Sequence, residues 1–127
     1  MSTASSTVTG AFVDAIVARD FATARGLLHP EIDFRAMTPR KIWEGADPGQ
    51  VEEVLRTWLA DPDEDIEAVE AVDGATIADT ERAGWRVRGT GPDGAFTFEQ
   101  QAFLREQDGQ VGWLRIMCSG KRPVGGG

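Results

Sequence analysis

The chain has 127 residues, of which 41% are hydrophobic and 27% charged, enough for one hydrophobic core and too apolar for a disordered chain. Lys and Arg number 13 against 21 Asp and Glu, so the formal charge of −8 gives no basic footprint for nucleic acid or an anionic membrane. No apolar run reaches the ~18 residues of a membrane span. Met1 to Gly10 lacks a secretory leader pattern, and the cytoplasm is the expected compartment. A lone Cys118 and a lone His29 leave neither an intramolecular disulfide nor a soft-ligand zinc cluster, so no metal and no cofactor is expected.

The stretches Met1 to Thr9 and Pro123 to Gly127 hold few residues able to bury apolar surface, and they are expected to be mobile tails around a single domain spanning residues 10–122. Phe12, Ala15, Ile16 and Val17 recur at helical spacing up to Asp20, whose carboxylate fits the cap of a second helix through Leu28. Pro30 should close that helix, after which Ile32, Phe34 and Ala36 alternate with Asp33, Arg35 and Met37 as in a strand. A third helix starts at Asp47 as N-cap, with Pro48 in its first turn and Gln50 as a capping-box partner. Its buried stripe reads Val51, Val54, Leu55, Trp58 and Leu59.

Beyond Pro62 the period falls to two. Strands are expected near Ile66 to Val72, Thr76 to Gly89, Phe96 to Arg105 and Val111 to Ser119, with turns at Asp73-Gly74, Asp93-Gly94 and Asp108-Gly109. The chain therefore reads as α+β: three N-terminal helices packed on a strongly curved antiparallel sheet that forms a cone.

That order of elements resembles the nuclear transport factor 2-like superfamily, and most of all its SnoaL-like branch, from about Phe12 to Val124. The resemblance is carried by Leu28-His29-Pro30, by Phe34 to Pro39 leading to Trp43-Glu44-Gly45, and by Asp108-Gly109-Gln110-Val111 before the last strand. It implies a small-molecule pocket, but the fold hosts isomerases, epoxide hydrolases, cyclases, dehydratases and noncatalytic modules, so site residues must decide. Against the epoxide-hydrolase pattern, Phe34 and Ala36 stand where a Tyr and an Asn would hold the attacking water. Thr80-Glu81-Arg82 matches that family's Thr-Glu-Arg, yet Gly84 and Ile116 replace its two Asp residues and remove the groups for acid-base opening of an epoxide. Against ketosteroid isomerases, Ala36 replaces the general base and Phe12 a Tyr, while Gln101 falls near an oxyanion donor.

The resemblance implies an apolar pocket wall of Phe12, Ile16, Phe34, Trp43, Trp58, Leu114, Ile116 and Cys118, suited to a small hydrophobic molecule; the plain alternative is that these residues only fill the core. Arg82, Glu99 and Gln101 are the candidate catalytic trio. They are expected to share an inward face, with Glu99 as acid or base, or else to form a structural cross-strand ion pair. His29 before Pro30 suits a capping role better than catalysis, Cys118 a core position better than a nucleophile, and Asp61 to Glu67 a solvated loop better than a calcium site. Arg86, Arg88 and Arg115 stay unassigned. Phe96 and Phe98, opposite in parity to Gln101, are expected on the convex face as the surface of a homodimer. Three functions remain open: a cofactor-independent isomerase, cyclase, dehydratase or epoxide-opening enzyme, a noncatalytic ligand-binding or dimeric scaffold module, and an accessory subunit of a larger enzyme.

Overall fold

The computed structural model describes residues 8–124. Helix α1 (Val8–Ala18) and helix α2 (Phe21–Gly26) form the expected hairpin. It turns at Arg19, whose φ of 54° breaks the helix, and restarts at Asp20, whose side chain accepts the Thr23 amide at 3.2 Å. Strand β1 (Leu28–Thr38) and strand β2 (Lys41–Gly45) follow, then helix α3 (Pro48–Leu59). Strands β3 (Asp65–Ile77), β4 (Thr80–Gly91), β5 (Gly94–Gln107) and β6 (Gln110–Cys118) form the meander, and the short β7 (Arg122–Pro123) ends it.

Helix α3 matches the sequence reading closely. Asp47 accepts the Gln50 amide at 2.9 Å, and the Gln50 side chain reaches back to the Ala46 amide at 2.7 Å. Its buried residues are Val51, Val54, Leu55, Trp58 and Leu59. The second helix is shorter than expected. Leu28, His29 and Pro30 belong to β1, because Leu28 pairs with Val111 and the Val111 amide donates to the Leu27 carbonyl. The expected tails are also trimmed: Val8 and Thr9 lie in α1, and Pro123 pairs with Phe96 through β7. Residues 1–7 and 125–127 of those tails lie outside the described residues.

The strands form one seven-stranded sheet in the order β2-β1-β6-β5-β4-β3, with β7 on β5. It is mixed, not wholly antiparallel as the meander suggested, because β1 pairs parallel with β6, with Phe34 opposite Leu114 and Ala36 opposite Ile116. The two strands stand at opposite ends of the chain, so no hairpin constrains their direction. The sheet curls without closing and the helices cover its inner face. Phe12 of α1 meets Trp85 of β4 edge-on at 6.3 Å, and Phe34 and Trp43 meet Trp58 of α3 at 6.5 and 5.8 Å.

Face parity on β5 is the opposite of that expected. Phe96, Phe98, Gln100, Ala102 and Leu104 are buried against the helices, and their pairing with the buried Ile116 and Leu114 fixes the register. Phe96 and Phe98 stack at 6.2 Å in the core, only 6% and 3% exposed, so they are not an outer surface for association. Asp93-Gly94 and Asp108-Gly109 turn two hairpins with positive φ at Gly94, Asp108 and Gly109. Asp73-Gly74 does not turn: it lies inside β3 at a break in register between Val72 and Ala75, and the chain reverses at Ala78 and Asp79.

Candidate functional site

The inner face of the cone is largely filled. Trp85 is fully buried at its centre, and its indole Nε1 donates to Oε1 of Gln100 at 2.6 Å. An indole N–H can only donate, so this bond fixes the orientation of the Gln100 amide with its NH₂ group turned the other way. That Nε2 atom is buried and has no partner. The same holds for Nε1 of Trp58 on α3.

Both residues line a cavity of about 290 Å³ beside this plug, at the small end of ligand-site volumes (~300–1,000 Å³). Trp43, Trp58 and Phe98 supply its apolar walls, and Gln100 and Cys118 stand side by side across the β5–β6 ladder. Thr57, Asp61 and Lys121, which are more exposed, lie toward its mouth. The Trp43 indole is satisfied by Thr38 Oγ1 at 2.9 Å, so among the cavity's indoles the unmet donor belongs to Trp58. A buried amide or indole donor without an acceptor costs on the order of 1–3 kcal/mol, and two residues that carry one line this cavity. A larger hollow of about 480 Å³ lies between α1 and the β3–β4 hairpin, but Thr9, Asp14, Thr76, Glu81 and Arg82 make it a wet surface depression.

Of the residues expected to line a pocket, Trp43, Trp58 and Cys118 reach this cavity. Phe12, Ile16, Phe34, Leu114 and Ile116 are at most 1% exposed and pack in the core, where Trp85 takes the room a deeper pocket would need. Arg82, Glu99 and Gln101 do come together, with Arg82 Nη1 donating to Gln101 Oε1 at 3.3 Å and Gln101 Nε2 reaching Glu99 Oε2 at 3.5 Å. They do so on the outer face of the sheet, where Glu99 and Gln101 share a hollow with Phe103, Met117 and Cys118, the last of which also lines the cavity, and where Arg86 pairs with Glu99 at 3.8 Å. The reason is parity: the inward residues of β4 are Ala83, Trp85 and Val87, which puts Arg82, Gly84 and Arg86 on the other side.

Gln100, Phe98, Asp61, Thr38 and Lys121 are cavity residues that the sequence reading missed. The alternation Phe96, Phe98, Ala102, Leu104 was the available signal for Gln100, since it puts even-numbered residues inside. Asp61 sits in the acidic run expected to be a loop, and it does lie in the turn after α3, with Oδ1 accepting the Asp63 amide at 2.8 Å. His29 neither caps a helix nor faces the cavity: Nδ1 accepts the Glu31 amide at 3.0 Å and Nε2 faces Asp108 at 3.4 Å. Arg115 pairs with Asp33 at 3.3 Å and lies against the Trp113 ring, which Arg105 flanks as well. Among the described residues no group of three or more His, Cys, Asp or Glu could hold a metal, and no helix is long and apolar enough to cross a membrane.

No family model and no curated protein matches the sequence. Solved structures do. An LEH-like epoxide hydrolase of M. tuberculosis superposes with a TM-score of 0.63 at 13% identity, over 88% of this chain and 80% of the other. A Catenulispora acidiphila protein with a ketosteroid isomerase-like fold, in complex with trimethylamine, gives 0.65 at 12% identity over 86% and 82%. A provisionally named isomerase of Rhodopseudomonas palustris gives 0.68 at 17% identity over 94% and 92%. The chain has the nuclear transport factor 2-like fold. At such identities the likeness carries the cone and its helices but not the site. The hydrolase and isomerase positions weighed against the sequence, Phe12, Phe34, Ala36 and Ile116, are buried apolar residues here.

Proposed function

We propose that the protein is a small-molecule pocket protein that holds a mostly apolar metabolite by one carbonyl-type oxygen. The observation that carries this reading is the pair of buried, unpartnered donors, Trp58 Nε1 and Gln100 Nε2, in two residues that line one cavity whose other walls are apolar at Trp43 and Phe98 and polar at Thr38, Asp61 and Lys121. A ligand oxygen accepting from them would remove two desolvation penalties at once, while a hydrocarbon of the same shape would leave both in place. The neighbours' names, isomerase and epoxide hydrolase among them, fit small-molecule chemistry in such a cone. Titration with cyclohexanone, followed on the indole N–H resonances, tests it. The Trp58 signal should shift, and methylenecyclohexane, which has the same shape and no acceptor, should leave it in place. No shift with the ketone would sink the reading.

A second reading, a cofactor-independent acid-base enzyme of the isomerase, cyclase, dehydratase or epoxide-opening kind, is favoured by Asp61, a carboxylate on the same cavity. In heavy water such an enzyme would exchange the α-protons of bound cyclohexanone, and Asp61→Asn would abolish the exchange. Exchange equal in both proteins leaves the noncatalytic binding module. Homodimerisation also stays a proposal, now on the outer face, where Met37 and Met117 are 51% and 54% exposed; sedimentation of Met117→Lys against the parent protein tests it.

A further inference from the structure

Cys118 supplies the thiol of the cavity lining, and the binding reading leaves its role open. It stands directly opposite Gln100 in the antiparallel β5–β6 ladder, so the two side chains share a face with Cβ atoms about 4.5–5.5 Å apart. Its thiol is free and half-buried. The Gly120 amide donates to Sγ at 3.4 Å, while Lys121, which also lines the cavity, directs its ammonium to Glu64 and the Phe96 ring. A buried cysteine acting only as a small hydrophobe would not need that amide. The second and independent observation is the one already described: Gln100, a lining residue of this cavity, is fully buried with an unpartnered Nε2, and Trp58 Nε1 is equally unmet.

Sulfur nucleophile and paired N–H donors together suit a reaction in which negative charge develops on an oxygen a few ångströms from the carbon attacked. We propose that Cys118 captures α,β-unsaturated carbonyl compounds by conjugate addition, with Gln100 and Trp58 holding the oxygen of the resulting enolate. This rests on the reading of the cavity as a carbonyl site. The thiol gives its proton to water at the mouth, and the sulfur forms a bond to the β-carbon. The C=C electron pair moves to the enolate, whose charge rests on the oxygen facing the two donors. Water then returns a proton to the α-carbon. The net change is addition of S–H across the double bond, so nothing is oxidised or reduced and no co-reactant is consumed. The indole and the primary amide are both fixed in place before reaction, by ring packing against Trp43 and by the Trp85 bond respectively, which is what makes such donors effective.

Incubation of the full chain with cyclohex-2-enone, read by intact mass and peptide mapping, tests the proposal. One cyclohexenone should add, at Cys118. Trp58→Phe keeps an aromatic ring and removes the donor, so it should slow addition by about a hundredfold while leaving alkylation by iodomethane unchanged, since that reagent carries no oxygen for the donors to hold. Addition to another residue, or an equal rate in Trp58→Phe, would overturn the proposal. Mapping on the parent protein locates the adduct even if Cys118→Ala does not fold. The same sample of Cys118→Ala, or of the parent chain alkylated at Cys118, titrated with cyclohexanone, separates the two claims. If ketone binds but the enone never adds, the covalent role fails and the carbonyl site stands; if neither occurs, both fall.

Discussion

Trp85 Nε1 donates to Gln100 Oε1 at 2.6 Å between two fully buried side chains on neighbouring strands. This bond both plugs the cone and sets the direction of the amide that lines the cavity. Breaking it from either side strands a buried polar atom: Trp85→Phe leaves the carbonyl oxygen unmet, and Gln100→Leu leaves the indole N–H unmet. Trp85→Phe should cost at least about 1–3 kcal/mol in urea unfolding and loses ring volume as well, while Gln100→Leu should cost less because it also removes the unpartnered Nε2. The double variant removes both polar partners, so it should be more stable than the sum of the single losses predicts, by about 1 kcal/mol or more. Strict additivity would show that the bond does not couple the two strands.

Gly74 gives a prediction that separates a turn from a close approach. A Cβ at Gly74 would run into the Arg82 carbonyl oxygen across the irregular part of the β3–β4 ladder. Backbone cannot yield there as a flexible side chain would, so Gly74→Ala should destabilise by about 1–3 kcal/mol. Gly26 at the end of α2 has open space around it, and Gly26→Ala is the control, expected to be neutral or slightly stabilising. Thermal melts of the two variants check the contrast; equal melting temperatures would contradict it.

How far the sequence could be read depended on whether a signal was local. Asp47, Pro48 and the stripe from Val51 to Leu59 are set by contacts within a few residues, and the helix followed the reading. Asp93-Gly94 and Asp108-Gly109 likewise turned where expected, whereas Asp73-Gly74 carried the same local signal and was overridden by pairing with β4. The parallel β1–β6 pair joins opposite ends of the chain, and no local pattern encodes it. The inward face of β5 was misread by parity. Gln100 and Gln101 are chemically identical, so the residues themselves do not say which points into the cone, and a one-residue difference put Glu99 and Gln101 inside where the structure has Gln100. Asp61 and Lys121 reach the cavity from irregular chain, where no periodicity predicts direction.

Acid should weaken the helical layer through two carboxylates. The Arg56 hydrogen bond, with Arg25 adding to it, holds Glu52 below the ordinary carboxylate value. Asp20 is held low by the Thr23 hydroxyl and then by the Thr23 amide, as its N-cap position requires. Both folded values lie below the unfolded ones, so their contribution is fully present above the ordinary carboxylate pKa of about 4 and is lost as pH falls through the folded values. Urea midpoints should therefore drop on acidification below about pH 4, and less steeply in Asp20→Asn with Glu52→Gln. Asn still caps a helix, so the Asp20 change isolates charge from geometry. An unchanged acid slope in the double variant would mean that other groups govern it.

The last expectation sets the outer trio against the cavity. Glu99 bonds to Gln101 and pairs with Arg86 on the side of the sheet away from Gln100, so its charge is screened by solvent and separated from any bound molecule by the strand itself. An exposed pair of this kind is worth about 0–1 kcal/mol, and Glu99→Gln should change stability by no more than that while leaving cyclohexanone affinity untouched. Trp58→Phe makes the opposite pattern. It deletes one donor from the cavity, so ketone affinity should fall about tenfold, the equivalent of one net hydrogen bond of about 1–1.5 kcal/mol. Stability should fall less than in Trp85→Phe, because the lost ring volume is offset by removal of a buried donor that lacks a partner in the free protein. Calorimetric titration of the two variants distinguishes the sites: loss of affinity in Glu99→Gln with none in Trp58→Phe would move the ligand to the outer face and restore Arg82, Glu99 and Gln101 as the groups that touch it.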